Sequence, residues 1–348
     1  MDKETENQFI EMNDISNGYI EEVVKPLLPN VEPGPQFSFG TPQNIGKVTL
    51  APKMVNGILA GSPYDCSKKE LKFIHYTSLD SAKKIISSAK MRMFSLASMC
   101  DLEELKFALK NIIGNKSIFT IDSYKQEVFS LSMNEFQDEK EMQEMSLNYG
   151  DCGFGVGLVL TFPKEYQDNW RKHYLGKVLY GENNLKDLDD FHMRHKSFTD
   201  NLNGVNIEGQ VKNFMLPLAG FHKMNGFEEE KEVRFLVVNK DTMLERHSTY
   251  LEFAEIEVNG EKRKAEADST ALDYNVYVTD TLKSYIEFEL HPKHKVLNDK
   301  RSIPIPKIEK IILGPKLIEI AKLKDELKKL AKENLGYEVK VEKSKLKL

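Results

Sequence analysis

The alternation of apolar and polar positions is most informative between Phe227 and Val238. A charge run, Glu228 to Glu232, passes into an apolar run, Val233 to Val238, with no turn signal between them. Read with period two, Glu230, Glu232 and Arg234 fall on one face and Val233, Phe235 and Val237 on the other. Such a strand buries one face in a core and aligns two carboxylates and a guanidinium on the opposite face. Taken alone, these residues support two readings, an edge strand with a solvated charged face or an active-site strand.

The remaining pattern supplies the setting. Residues 1 to about 70 read as a loop-rich appendage. It holds an amphipathic helix around Ile15 to Leu28, with Ile20, Val23, Val24 and Leu27 at helical spacing, and a strand at Lys47 to Leu50. Pro29, Pro33 and Pro35 end that helix. This segment can wrap the main domain, occlude a cleft or recruit a partner. The main domain, 71–348, opens with a strand at Leu71 to Tyr76. Thr77 or Ser78 then caps a helix that carries Ala82, Ile85, Ile86 and Ala89 as its apolar stripe. Further strands are predicted at Met91 to Leu96, Val128 to Met133, Gly153 to Leu160, Lys177 to Tyr180, Tyr250 to Val258, Ser284 to Glu289, Lys307 to Leu313 and Tyr337 to Val341. Helices are predicted at Asp101 to Ile113 and Leu317 to Leu335, and another carries His192 and His195. Short strands mixed with helices, without a regular strand–helix–strand rhythm, point to an α+β fold.

Composition narrows the class. A hydrophobic content of 40% and a charged content of 30% describe a globular chain. The 49 basic and 54 acidic side chains give a net charge of −5, so no global basic field points to nucleic acid. The three cysteines, Cys66, Cys100 and Cys152, form no C-x-x-C pair, which argues against a zinc site or a disulfide framework and fits a reducing cytoplasm. The polar, acidic N-terminus does not read as a secretory signal, and no apolar run approaches the roughly 18 residues of a membrane span. A cytoplasmic protein with no membrane partner is expected.

Several short motifs carry chemical potential. His75 and Thr77 end a strand just before a helix, where free backbone N–H groups are available to a ligand. Ser130 and Ser132 place two hydroxyls on one strand face. Gly153, Gly155 and Gly157 alternate as G-x-G-x-G, which lacks the dinucleotide-fold spacing and is followed by a strand, so a Rossmann site is rejected. Glycines inside a strand mark a bulge or the close approach of another backbone or a ligand. Tyr149, just before them, is placed to stack on a flat ligand. His192 and His195, with Asp189 and Asp190 nearby, resemble half of a metal site but lack a second cluster, and a surface helix is favoured; no metal is expected.

In this order the motifs resemble the bacterial family known as domain of unknown function 2971. They are Phe73-Ile74-His75-Tyr76-Thr77, Cys100-Asp101-Leu102-Glu103-Glu104, Ser130-Leu131-Ser132, Met145-Ser146-Leu147-Asn148-Tyr149, Phe227 to Arg234, and Ile308 to Pro315. Cys100 and Leu102 stand where that family usually has asparagine and proline. The arrangement is also similar to ADP-ribosyltransferases, with His75-Tyr76-Thr77 as the H-x-T element and Glu230-Lys231-Glu232 as the E-x-E element.

The resemblance implies an ADP-ribosyltransferase-like α+β fold of split mixed or antiparallel sheets flanked by helices, with NAD as co-substrate. It assigns Glu232 to the nicotinamide ribose and the oxocarbenium-like transition state, and Glu230 to the acceptor. His75 falls to the adenosine ribose, Tyr149 to nicotinamide, and Thr77, Ser130, Ser132 and Arg234 to the cofactor-binding surface. It implies a mono-ADP-ribosyltransferase acting on RNA, DNA or protein, as a toxin or anti-phage effector with a neutralising antitoxin partner. An NAD glycohydrolase or a non-catalytic binding module on the same fold are the alternatives. If the acceptor is nucleic acid, Lys316, Lys322, Lys324, Lys328 and Lys329 are the basic residues available to it.

Overall fold

A computed structural model describes residues 3–32, 53–54, 57, 59–66, 71–98, 126–136, 143–164, 170, 173–202, 217–239, 253–258, 261–266, 275–290 and 304–346. The expected strand at Lys47 to Leu50, the expected helix at Asp101 to Ile113 and the motif at Cys100 to Glu104 lie outside these residues.

In chain order the strands are β1 (Val31–Glu32), β2 (Lys53–Met54), β3 (Lys72–Thr77), β4 (Lys90–Ser95), β5 (Val128–Glu135), β6 (Val156–Thr161), β7 (His173–Lys177) and β8 (Leu179–Tyr180). They continue as β9 (His222–Lys223), β10 (Glu232–Val238), β11 (Phe253–Val258), β12 (Glu261–Glu266), β13 (Val276–Val278), β14 (Ser284–Glu289), β15 (Lys307–Leu313) and β16 (Lys340–Lys343). A ten-stranded sheet runs β13-β14-β4-β5-β3-β6-β15-β16, and β10 branches from β5 and carries β7 on its far edge. Its pairings are antiparallel except β15 with β16. The fold is α+β, a mostly antiparallel sheet flanked by helices.

Both faces of the central strands are covered. On one face Leu131, Met133, Val233, Phe235, Val237, Leu158 and Ile311 join one apolar core with the helices Leu79–Ser88 and Ile320–Leu335. The first of these helices is capped by the Ser78 hydroxyl on the Ser81 amide, and ends at Ala89 in the left-handed region. The second buries Leu327, Ala331 and Leu335, with Ile320, Leu323 and Leu330 partly buried against the same core.

On the other face Val128, Leu236 and Val238 meet Tyr19, Ile20, Val23, Val24, Leu27 and Leu28 from the N-terminal segment, together with Leu188 and Phe191. Of the three roles open to that segment, wrapping the main domain is the one its packing displays. Its helix starts earlier than expected, at Lys3, and turns into a π-helix over Ile20–Val24. That widened turn keeps Ile20, Val23 and Val24 all buried.

Several boundaries change, and the helix predicted from Leu317 starts at Ile320. The strand predicted over Lys177 to Tyr180 is two strands, β7 and β8, separated at Val178. The glycine strand begins only at Val156, after a 3₁₀ turn over Asp151–Gly153. The last strand is Lys340–Lys343 rather than Tyr337 to Val341. Among the described residues no helix is long and apolar enough to cross a membrane.

Candidate functional site

The site is built where β5 changes partners. Along one edge β5 pairs with β10 from Val128 to Asn134. Along the other, β4 pairs at Phe129 and Ser130, and β3 pairs at Asn134 and Glu135. Leu131, Ser132 and Met133 thus have no strand opposite them on that edge, while β3 continues from His75 to Thr77 paired only with β6. His75 fills part of the gap, its Nδ1 lying 2.9 Å from the Ser132 carbonyl oxygen. A carbonyl only accepts, so Nδ1 carries the proton and Nε2 is the ring's acceptor nitrogen. Burial lowers the His75 pKa, and the carbonyl contact only partly opposes that, so the ring is neutral at pH 7.

Register then places the side chains. Arg234 lies opposite Ser132 and Glu232 opposite Asn134, so all four share one face of the sheet. Glu232 and Arg234 are buried, at 5% and 4% exposure. Arg234 grips the carboxylate with two nitrogens, Nε to Oε1 at 2.8 Å and Nη2 to Oε2 at 3.1 Å, and its Nη1 donates to the Gly220 carbonyl at 2.7 Å. The Ser132 hydroxyl donates to Glu232 Oε1 at 2.5 Å, and the Glu232 amide donates to the Tyr180 hydroxyl at 2.9 Å. Lys223 Nζ stands 3.5 Å from Glu232 Oε2. Burial on its own pushes the Glu232 carboxyl up, but the Arg234 guanidinium, Lys223 and the Ser132 hydroxyl together hold it below the usual carboxylate range. Glu232 is therefore an anion at neutral pH inside a nearly dry network.

Glu230 departs from the period-two reading. It belongs to a 3₁₀ turn, Glu228–Glu230, and Lys231 follows with a φ of 44°, so the strand begins at Glu232. The left-handed residue breaks the alternation that would have put Glu230 on the sheet face. The Asn134 side chain locks the turn by donating to the Glu230 carbonyl at 2.5 Å. The Glu230 carboxylate still faces the site. Its Oε1 accepts from the Tyr149 hydroxyl at 2.6 Å and its Oε2 meets Lys223 Nζ at 2.7 Å. The solvated-edge reading of this stretch fails as well, since β10 is buried along its whole length and paired on both sides.

Tyr149 ends the helix Gln143–Tyr149 and is 50% exposed. Behind it the chain turns through Asp151, Cys152 and Gly153, all with positive φ. Gly155, just before the following strand, and Gly157, within it, both sit at close approaches. A Cβ on Gly155 would lie 2.3 Å from the Thr77 carbonyl oxygen, and one on Gly157 would lie 2.5 Å from Ile74 Cδ1. A small cleft lined by Ile74, Tyr76, Ser146, Gly155 and Gly157 opens beside this helix.

The fold thus brings together Glu232, Glu230, Ser132, Arg234 and Tyr149, with His75 attached through the Ser132 backbone. Thr77 sits at the end of β3 with its carbonyl against Gly155. Ser130 lies two residues further along the Ser132 face, opposite Leu236, with its buried hydroxyl outside the network. Arg234 is engaged by Glu232 and Gly220, so the role its contacts display is that of holding the carboxylate. His195 bonds the Tyr19 hydroxyl at 3.0 Å and stacks on Phe191, and no group of metal-ligating side chains occurs among the described residues.

Lys223, Tyr180 and Asn134 were not singled out from the sequence. Asn134 had a signal, being in phase with Ser130 and Ser132. Lys223 and Tyr180 sit on the two-residue strands β9 and β8, which carry no period. No protein-family model, curated protein or solved structure matches the chain.

Proposed function

We propose that the chain is a mono-ADP-ribosyltransferase that uses NAD as co-substrate and modifies a macromolecule, on an ADP-ribosyltransferase-like split-sheet fold. One observation carries the reading. An ionised glutamate, Glu232, is held by Ser132, Arg234 and Lys223 on β10, where β3 and β5 part, with a second carboxylate, Glu230, 2.6 Å from the exposed Tyr149.

The residue types suit cleavage of a glycosidic bond to a cationic leaving group. Positive charge develops at the ribose carbon as nicotinamide departs, and a fixed carboxylate stabilises it without reorganising in the transition state. Glu232 has that fixity. Tyr149 offers a half-exposed ring to a flat heterocycle. His75, neutral, presents Nε2 as an acceptor for a ribose hydroxyl. Glu230 is the group that faces the acceptor. Activity of this kind suits a toxin or anti-phage effector, restrained by a neutralising partner protein.

The test is incubation of the purified protein with adenylate-labelled NAD and, separately, RNA, DNA and cell extract. Label transferred to one of these supports the proposal. Glu232→Gln, which keeps the shape of the side chain, is expected to lower turnover by at least about a hundredfold, in the range seen when a transition-state-stabilising group is removed. An inert NAD pool, or a fully active Glu232→Gln variant, refutes it.

A further inference from the structure

Lys223 makes a contact that the reaction as described does not use. Its ammonium lies 2.7 Å from Glu230 Oε2 and 3.5 Å from Glu232 Oε2, and it sits 4.6 Å from the centroid of the Phe227 ring. The side chains of Lys223 and Glu230 are only 12% and 13% exposed. The other oxygen of Glu230, Oε1, is covered by the Tyr149 hydroxyl. Both oxygens of the outer carboxylate are thus occupied by protein groups, one by a cation and one by a phenol. The neighbouring acids Glu228 and Glu229 are exposed, and the Glu228 carboxylate accepts from the Gly226 amide at 2.9 Å.

We propose that Lys223 is a positioning residue that latches Glu230 away from water, so that NAD bound at the site is not hydrolysed before an acceptor displaces the latch. The inference rests on the transferase reading above and adds what decides between transfer and hydrolysis at the same site. The bond changes are those of any glycosyl substitution. The nicotinamide–ribose bond breaks and its electron pair leaves with nicotinamide. The nucleophile's oxygen or nitrogen bonds the ribose carbon, and its proton passes to a base. With Glu230 free, that base takes a proton from water and free ADP-ribose results. With both its oxygens held by Lys223 and Tyr149, Glu230 is closed to water as a base. An acceptor large enough to displace either partner restores it. Phe227, packed over the ammonium, fixes the latch in place.

Two measurements test this on the full-length protein. The first is carbodiimide-promoted coupling of a small amine to carboxylates, mapped residue by residue by tandem mass spectrometry, with Glu228 and Glu229 as internal references. Coupling at Glu230 is expected to be low in the wild type and in Lys223→Arg, and at least about fivefold higher in Lys223→Met. The second is release of free ADP-ribose from NAD with no acceptor present. It is expected to rise about tenfold in Lys223→Met, a modest share of what general-base assistance supplies.

Tyr149→Phe uncovers the other oxygen from an exposed position. It is expected to raise coupling at Glu230 even if Lys223→Met does not fold. Unchanged coupling at Glu230 in these variants, in a protein that turns over NAD, overturns the latch and leaves the transferase reading standing. Raised coupling with hydrolysis unchanged or lower overturns the role in partition. Raised coupling with NAD intact in every variant refutes both the partition claim and the transferase reading on which it rests.

Discussion

Replacing Arg234 by leucine isolates the ion pair at the heart of the site. The substitution removes two hydrogen bonds to the Glu232 carboxylate and one to the Gly220 carbonyl, all from a side chain that is 4% exposed. Hydrogen bonds to charged groups contribute about 1.5–3 kcal/mol each, so a simple sum for the two that end on Glu232 is about 3–6 kcal/mol. Ser132 and Lys223 remain beside Glu232 and soften the loss, while the Gly220 carbonyl goes unpaired. The expected destabilisation at pH 7 is therefore about 3–5 kcal/mol, the range found when one partner of a buried pair is deleted.

The pH dependence gives a second, sharper signature. In the wild type Glu232 titrates below its unfolded value, so its contribution is present above the unfolded carboxylate pKa and is lost as pH falls through the folded one. In Arg234→Leu, burial dominates and the folded pKa rises. That variant's contribution is then present below the unfolded pKa and is lost as pH rises through the folded one. The gap between the two proteins therefore narrows on acidification. Urea unfolding followed by the fluorescence of Trp170, the single tryptophan, reads both effects. Adding Glu232→Leu to Arg234→Leu should recover much of the loss. A cost below about 1 kcal/mol at pH 7, or a gap that widens at acid pH, refutes the account of the network.

Two further outcomes follow from geometry away from that pair. Gly155→Ala puts a Cβ 2.3 Å from the Thr77 carbonyl and 2.8 Å from Gly150, both backbone, so a loss of about 3 kcal/mol or more is expected in thermal unfolding. A drop of less than about 1 kcal/mol would refute the close packing of the glycine turn. In a Cys100→Ser background, an aromatic disulfide reagent should modify exposed Cys152 rapidly. It should leave Cys66 unmodified until the protein unfolds, because burial pushes that thiol up to about 12 and its sulfur contacts the Leu175 carbonyl. Equal rates at the two thiols would refute the buried placement of Cys66.

Most strands that carry the sheet were legible because their periods were unbroken. Ser284–Glu289 and Lys307–Leu313 coincide with the expected ranges, and the run from Val233 to Val238 does lie at the centre of the fold. Glu230 was misread because Lys231 adopts a left-handed conformation without glycine or asparagine, and such a turn leaves no trace in composition. The N-terminal stripe announced a helix but not its partner. Which apolar surface meets Ile20 and Val23 is settled by the far face of β10, more than two hundred residues away. Lys223 was invisible for the opposite reason, since it lies on a strand too short for any pattern and acts only through tertiary contact.

The hydrogen bond from Ser132 to Glu232 joins positions 100 residues apart in the chain. At ribosomal speeds of roughly 5–20 residues per second, about 5–20 s separate the synthesis of the two halves of that contact. Throughout the interval the hydroxyl face of β5 exists without its carboxylates, and β7, once made, waits for the neighbour that ties it to the sheet. The site is assembled late, because the network around Glu232 is complete only when the segment from Lys223 to Val238 has docked.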